Sequence, residues 1–251
     1  MNLLVLRPDE IRANHAVLAD RRSQHVLGLL GKRAGDTVRA GVLGEGVCEA
    51  VISEADLAAS RVHLELGARK PQSIPRTSLI LALPRPKALS RIVQLAASFG
   101  IQRLDLVGAR KVDPAYFSSP RLHPDRLLED ALLGLEQGGL VHLPTFGIHR
   151  ALGSFLRGLT PQGGQARVLF DPGAPTHLAG LLLGSTAEER APARETTLAF
   201  GPDGGFLREE LELFAAARFE SALLTAPTLR TEVAVAAGLG QLALVRQLGF
   251  R

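Results

Sequence analysis

The sequence predicts an α/β protein in two parts: a β-rich module over residues 1–73, then a mostly parallel sheet covered by helices over residues 74–251. Three observations carry this. From residue 77 onward, strand-like apolar runs alternate with helical stretches, the pattern of a parallel sheet. The run Thr77-Ser78-Leu79-Ile80-Leu81-Ala82-Leu83 is almost continuously apolar, as a strand buried on both faces requires. Residues 69–75 between the two regimes are polar and Pro-containing, the composition of a domain boundary near Pro71 to Pro75.

In the first part, residues 3–6 form a short apolar run, and residues 23–30 read as a short helix ended by Gly31. Three β-like runs follow, over 37–42, 47–53 and 61–66. Val38, Ala40 and Val42 alternate with polar or small residues, as do Val62, Leu64 and Leu66. Short strands at this spacing suggest a small barrel. In the second part, helix 87–99 carries the stripe Leu89, Ile92, Val93, Leu95, Ala96, with Gly100 placed to terminate it. Further strands are expected over 103–107, 167–170, 196–200 and 221–224, and further helices over 126–136, 149–159, 207–217 and 231–248. The last helix is apolar on nearly every face, which suggests a subunit interface as well as a core.

The chain has 251 residues, 46% hydrophobic and 22% charged, enough for a substantial core and too apolar for disorder. No apolar run reaches the roughly 18–20 residues of a membrane span, and the first residues lack the pattern of a signal peptide. One cysteine, Cys48, excludes a disulfide framework, so a cytoplasmic setting is expected. Cys48 itself reads as a small core residue. The net charge of +4 is unevenly spread: residues 74–120 hold seven basic side chains and two acidic ones. A clustered positive field attracts polyanions, RNA among them. Alone, it is equally compatible with a solvated basic surface.

Ligands of parallel sheets bind at the carboxyl ends of the strands. That directs attention to the loops after Leu83, Phe170, Phe200 and Leu224. Phe200-Gly201-Pro202-Asp203-Gly204-Gly205-Phe206 follows a strand and opens a helix. Its glycines let a ligand approach the backbone, and the helix N-terminus favours electron-rich atoms. It matches neither the dinucleotide fingerprint nor the P-loop. Thr228-Leu229-Arg230-Thr231-Glu232 is a second strand-to-helix turn, with Thr231 as the expected N-cap. Glu136-Gln137-Gly138-Gly139 closes helix 126–136, with Gly138 as its expected C-cap. The seven histidines show no zinc-ligand spacing, no metal is expected, and no serine-hydrolase elbow is present. His142 and His149 read as structural or exposed.

In order along the chain, these blocks resemble the RsmE-type family of 16S ribosomal RNA uridine-N3 methyltransferases, within the SPOUT superfamily. The resemblance rests on His25-Val26-Leu27 with Gly35-Asp36-Thr37-Val38, on Leu83-Pro84-Arg85-Pro86-Lys87, and on Glu136-Gln137 with Pro144. Its most specific blocks are the glycine-rich turn, with Asp203 in place of the family's Glu, and Leu229-Arg230-Thr231-Glu232-Val233-Ala234. It implies a PUA-like RNA-binding barrel followed by a trefoil-knotted methyltransferase domain, a homodimer, and S-adenosylmethionine as donor. The implied donor site comprises Phe170, Phe200, Gly201, Pro202, Gly204, Gly205, Leu224, Thr225, Ala226, Leu229, Arg230 and Thr231. The sequence departs from the family at Thr225 and Pro227, where Gly and Arg are usual, and at Ser98-Phe99-Gly100, where Glu-Leu-Gly is common. A positive φ at Thr225 would be costly for a β-branched residue.

Uridine N3 must lose its proton to attack the methyl group, and charge then develops on O2 and O4. Arg230 is the candidate to stabilise that charge. Glu232 orienting Arg230, and Glu136 accepting the proton, are both open alternatives. Arg7, Lys87, Arg91, Arg110 and Lys111 are candidates for contact with 16S rRNA phosphates within the small ribosomal subunit. Two other readings stand beside this one: methylation of another RNA atom, such as a ribose 2′-oxygen, and an RNA-binding assembly protein with weakened catalysis.

Overall fold

The computed structural model describes residues 1–74, 76–159, 165–182 and 195–249. Pro75, one end of the expected boundary, lies outside them. The chain divides into two units: Met1–Ile74 with Leu132–Leu143, and Pro75–Ala131 with Pro144–Arg251.

In the first unit, β1 (Leu4–Leu6), β2 (Ile11–Arg12), β3 (His15–Leu18), β4 (Thr37–Val42), β5 (Gly46–Asp56) and β6 (Arg61–Leu66) form one sheet in the order β1-β4-β5-β6-β3-β2. Only the β1–β4 pairing is parallel. Alternation works as expected: in β6 the side chains of Val62, Leu64 and Leu66 are buried and Arg61 and Glu65 exposed. These residues share one core with Leu4, Leu6, Leu18, Ile52 and Cys48. The expected helix over 23–30 is helical from Arg21 to Leu29, but its winding changes partway along. An α-helical turn, α1 (Arg21–Gln24), is capped by Asp20 and runs into a π-helical turn over His25–Leu29. Beside it, Arg22 donates to Glu10, Asp20 and the Val5 carbonyl. Burial alone would raise the Glu10 and Asp20 carboxyls, but hydrogen bonds from Arg22 and from backbone N–H groups hold both below the usual range.

In the second unit, β7 (Arg76–Ala82), β8 (Arg103–Val107), β9 (Thr145–His149), β10 (Gln165–Phe170), β11 (Glu195–Phe200) and β12 (Glu220–Ala222) form an all-parallel sheet in the order β12-β10-β11-β7-β8-β9. The chain is thus α/β with a mostly parallel sheet. Helices α2 (Pro86–Ser98), α3 (Pro124–Gly138), α4 (Leu152–Arg157), α5 (Leu178–Leu182), α6 (Arg208–Ala216) and α7 (Thr231–Gly249) complete the fold. Ile80, Val107, Leu169 and Ala199 make a core with Leu152 and Leu156 of α4 and Phe214 of α6, while α2 packs beside α7.

Helix ends follow local chemistry. Pro86 opens α2. Gly100 closes it at φ +72°, with Ile101 N–H donating to Ala96 and Gly100 N–H to Ala97. In α3 the left-handed residue is Gly139, at φ +71°, so the expected cap at Gly138 moves one residue on. Helix α4 starts at Leu152 rather than 149, because His149 ends strand β9. His149 Nε2 lies 2.7 Å from Asp105 Oδ1, and Arg103 donates to the same carboxylate.

Candidate active site

Strands β10, β11 and β12 lie at one side of the second unit's sheet, and their carboxyl ends feed the loops that form its cavity. Its volume is about 580 Å³, within the roughly 300–1,000 Å³ common for small-molecule sites. Three loops and the start of α7 line it: residues 170–172, 200–206, 223–231 and Ala234.

The loop after β11 is built for close approach. Gly204 and Gly205 both have left-handed backbone, at φ +82° and +72°. Side chains there would be strained, so the cavity wall is peptide backbone. The Lys111 ammonium donates to the Gly204 carbonyl, and Asp203 pairs with Arg85 at 3.6 Å. Glu210, buried in the first turn of α6, accepts from Leu207 N–H and Arg110 N–H at 2.8 Å each. That carboxylate satisfies an otherwise orphaned helix-end donor.

Phe170 and Phe200 stand side by side at the floor, with ring centroids 5.0 Å apart. Helix α7 crosses them at Gly238, where a Cβ would lie 2.7 Å from Phe200 and 2.9 Å from Phe170. Gln241 of α7 donates to the Leu224 carbonyl at 2.9 Å and ties down the loop after β12. Thr225 is not in the left-handed region, so the strain expected of a β-branched residue there does not arise. Its hydroxyl donates to the Pro227 carbonyl at 2.8 Å and closes a local turn.

All twelve residues expected at the donor site line this one cavity. So do Phe206, Leu223 and Ala234, which were not among the residues expected to hold the donor. Thr231 is the first residue of α7 and not its cap: the Arg230 carbonyl accepts from Ala234 N–H, and the Thr231 hydroxyl donates to Asp203 at 3.3 Å.

The three expected catalytic side chains are not brought together. Arg230 lines the cavity and is exposed, and among the described residues its guanidinium has no hydrogen-bond or ion-pair partner. Glu232 sits in the first turn of α7 without an ion pair to Arg230. Glu136 belongs to the first unit, where both its oxygens accept from Arg21 at 2.7 Å. That bidentate pair gives Glu136 a structural partner.

Among the expected phosphate-binding residues, Lys87 and Arg91 are exposed one turn apart on α2. Arg110 is exposed and 4.0 Å from Glu209, Lys111 reaches Gly204, and Arg7 pairs with Asp9 at 3.6 Å. Arg103 of the same basic window is committed to Asp105. No group of three or more His, Cys, Asp or Glu among the described residues is arranged to hold a metal. No helix among them is long and apolar enough to cross a membrane.

The sequence pattern of a family described as an RNA methyltransferase domain matches residues 70–243. The Ribosomal RNA small subunit methyltransferase E of Treponema pallidum is 28% identical over 246 residues, covering 94% of this chain and 88% of that protein. The Ribosomal RNA small subunit methyltransferase E 1 of Borreliella burgdorferi is 21% identical over 238 residues, covering 94% and 95%. The Neisseria gonorrhoeae Ribosomal RNA small subunit methyltransferase E, crystallised with S-adenosyl methionine, has a similar fold. Its TM-score is 0.75 at 17% identity, with 98% of each chain covered.

Proposed function

Because the chain belongs to the RNA methyltransferase domain family, we propose that it transfers a methyl group from S-adenosylmethionine to N3 of a uridine in 16S ribosomal RNA. The observation that carries this reading is the cavity: one glycine-walled space, at the carboxyl ends of three neighbouring parallel strands, inside the region that matches the family. Its residues fit such a donor. Phe170, Phe200 and Leu224 give an apolar floor, and Gly201, Gly204 and Gly205 present backbone polar atoms without side-chain bulk.

The donor supplies an electrophilic methyl group on a sulfonium. The protein's part is to hold N3 in line with that methyl group and to favour the deprotonated base. Arg230 is the group for the second task. It stands at the cavity, unpaired among the described residues, where a guanidinium stabilises negative charge developing on O2 or O4. Glu232, in the first turn of α7, is the nearer of the two expected carboxylates in sequence, and its part is to receive the proton or steer Arg230. The Arg21 pair leaves Glu136 a role in the first unit's architecture.

The same reading makes the first unit a PUA-like RNA-binding barrel and gives the loops around the cavity a trefoil-knotted path. It makes the protein a cytoplasmic homodimer. Helix α7 supports the dimer: Val233, Leu244 and Leu248 are 46%, 55% and 51% exposed along one stripe. Gly240 between them faces open space. A two-fold partner would cover that stripe with its own copy. RNA contact falls to Lys87, Arg91, Arg110 and Lys111, with Arg7 on the first unit. Incubation of small ribosomal subunits with labelled donor, then nuclease digestion and mass spectrometry, tests the reading. N3-methyluridine is expected, and a ribose-methylated product would redirect it to another atom.

A further inference from the structure

Gly204 and Gly205 stand next to one another in the cavity wall, both in left-handed backbone. Glycine has more conformational freedom to lose than any other residue. Packing restrains Gly205 little, since a Cβ there would meet no atom within 4 Å. Within the turn, Gly205 N–H donates to the Pro202 carbonyl at 2.9 Å. Further hold comes from the segment after β8, outside the cavity.

Lys111 and Glu210 join that segment to the turn in a closed circuit of contacts. Lys111 Nζ donates to the Gly204 carbonyl. Glu210 is 5% exposed. One of its oxygens accepts from Leu207 N–H and the other from Arg110 N–H, at 2.8 Å each. The circuit runs from Lys111 to Gly204, along the chain to Leu207 and Glu210, and back to Arg110. Neither Lys111 nor Glu210 lines the cavity. Helix capping explains only half of this. The bond to Leu207 N–H serves the start of α6, but the bond to Arg110 N–H reaches back 100 residues. The Gly204 carbonyl belongs to no helix or strand, so the ammonium completes no cap or ladder there. No basic side chain pairs with Glu210 among the described residues, and the Arg110 guanidinium lies 4.0 Å from Glu209 instead. Both of its oxygens thus act on backbone.

We infer that Lys111 and Glu210 are positioning residues for methyl transfer, which together hold the glycine turn in its donor-receiving shape from outside the cavity. The inference rests on the proposed use of S-adenosylmethionine at that cavity. A turn that must become ordered when its ligand arrives binds more weakly by the cost of that ordering. Anchored beforehand, the backbone atoms of the turn are already in place. Lys111 thereby has a task apart from the phosphate contact proposed above. An ammonium has three N–H groups, and one is committed to the turn. The turn meets the methyl donor before and during transfer alike. Loss of its anchors therefore weakens binding and leaves the chemical step at saturation nearly intact.

Two measurements on the full chain test this: calorimetric titration with S-adenosylmethionine, and steady-state methylation of small ribosomal subunits at varied methyl-donor concentration. Lys111→Met keeps an unbranched stem and removes the ammonium. It should raise the Kd and KM for S-adenosylmethionine by about tenfold or more, with kcat at saturation within about threefold of wild type. Lys111→Arg restores N–H groups and should bring both constants back to within about threefold of wild type. Glu210→Gln keeps the shape, loses the charge and leaves one oxygen for two N–H groups. It should raise the same constants about three- to tenfold. The double variant should fall short of the product of the two single effects, because both act through one turn. Lys111 is exposed, so the fold of its variants should survive, as circular dichroism and thermal melts check. Unchanged Kd and KM in Lys111→Met would overturn the inference and leave the proposed function standing. That holds whether kcat falls, the melting temperature drops or only the salt slope of RNA binding decreases. A wild-type chain that binds no S-adenosylmethionine would overturn both.

Discussion

Arg230 and Arg22 show how two arginines in one chain come to different uses. Arg22 is buried and satisfied by Glu10, Asp20 and the Val5 carbonyl, so it builds structure. Arg230 is exposed at a cavity with no described partner, so it is available for chemistry. Arg230→Ala should keep the fold and lose about 10²–10³ in kcat, the usual effect of deleting a group that stabilises developing charge. Single-turnover methyl transfer with calorimetric donor binding checks this. The Arg22 cluster sets a pH limit. Glu10 and Asp20 have folded-state pKa values below their unfolded ones. Their contribution is complete above the unfolded carboxylate value of about 4 and is lost as pH falls through the lower folded values. Denaturation against pH should show a steep acid limb, and Glu10→Gln/Asp20→Asn should flatten it. Arg230 was legible in the sequence from its place between a strand and a helix. The freedom of Thr225 from strain was not, because backbone φ depends on the path of the loop.

Among the elements, α7 joins several functions. Its first turn borders the cavity, Gly238 lets it lie against Phe170 and Phe200, and Gln241 holds the Leu224 carbonyl. Gly238→Ala places a methyl group inside both ring contacts and should cost about 1–3 kcal/mol, with weaker donor binding. A thermal melt and donor calorimetry measure the two effects. Strong periodicity made the helices legible: α2, α6 and α7 lie within one or two residues of their expected ranges. Elements without a clean signal were missed. The β2–β3 hairpin turns on Ala13 and Asn14, both at positive φ, where the expected signature is Asn-Gly or Asp-Gly. Strand β9, Thr-Phe-Gly-Ile-His, carries a glycine at its centre and only partial burial, so its end at His149 reads as the beginning of the next helix. The π turn at His25–Leu29 has the same composition as an α-helix, and its wider hydrogen bonding depends on packing.

At the scale of the whole molecule, charge and apolar surface say where partners meet it. The +5 excess over residues 74–120 is partly offset in the folded chain by acids from outside the window, Asp203 beside Arg85 and Glu209 beside Arg110. Lys87 and Arg91 stay exposed, with no hydrogen-bond or ion-pair partner among the described residues. The exposed stripe on α7 has another purpose in this account: Leu244→Asp should turn a dimer into a monomer in light scattering, with helix content by circular dichroism unchanged. The order of elements along the chain made the α/β class legible, since alternation of strand and helix leaves few other arrangements. Sheet order was not legible. That β12 lies beside β10 and brings the 223–231 loop to the cavity depends on long-range pairing, which periodicity does not encode. The most direct test of the account is transfer of labelled methyl from S-adenosylmethionine to small ribosomal subunits, with the product nucleoside identified and mapped. The account predicts N3-methyluridine at a single position of 16S rRNA, formed about 10²–10³-fold more slowly by Arg230→Ala; no incorporation, or label on a ribose oxygen, would contradict it.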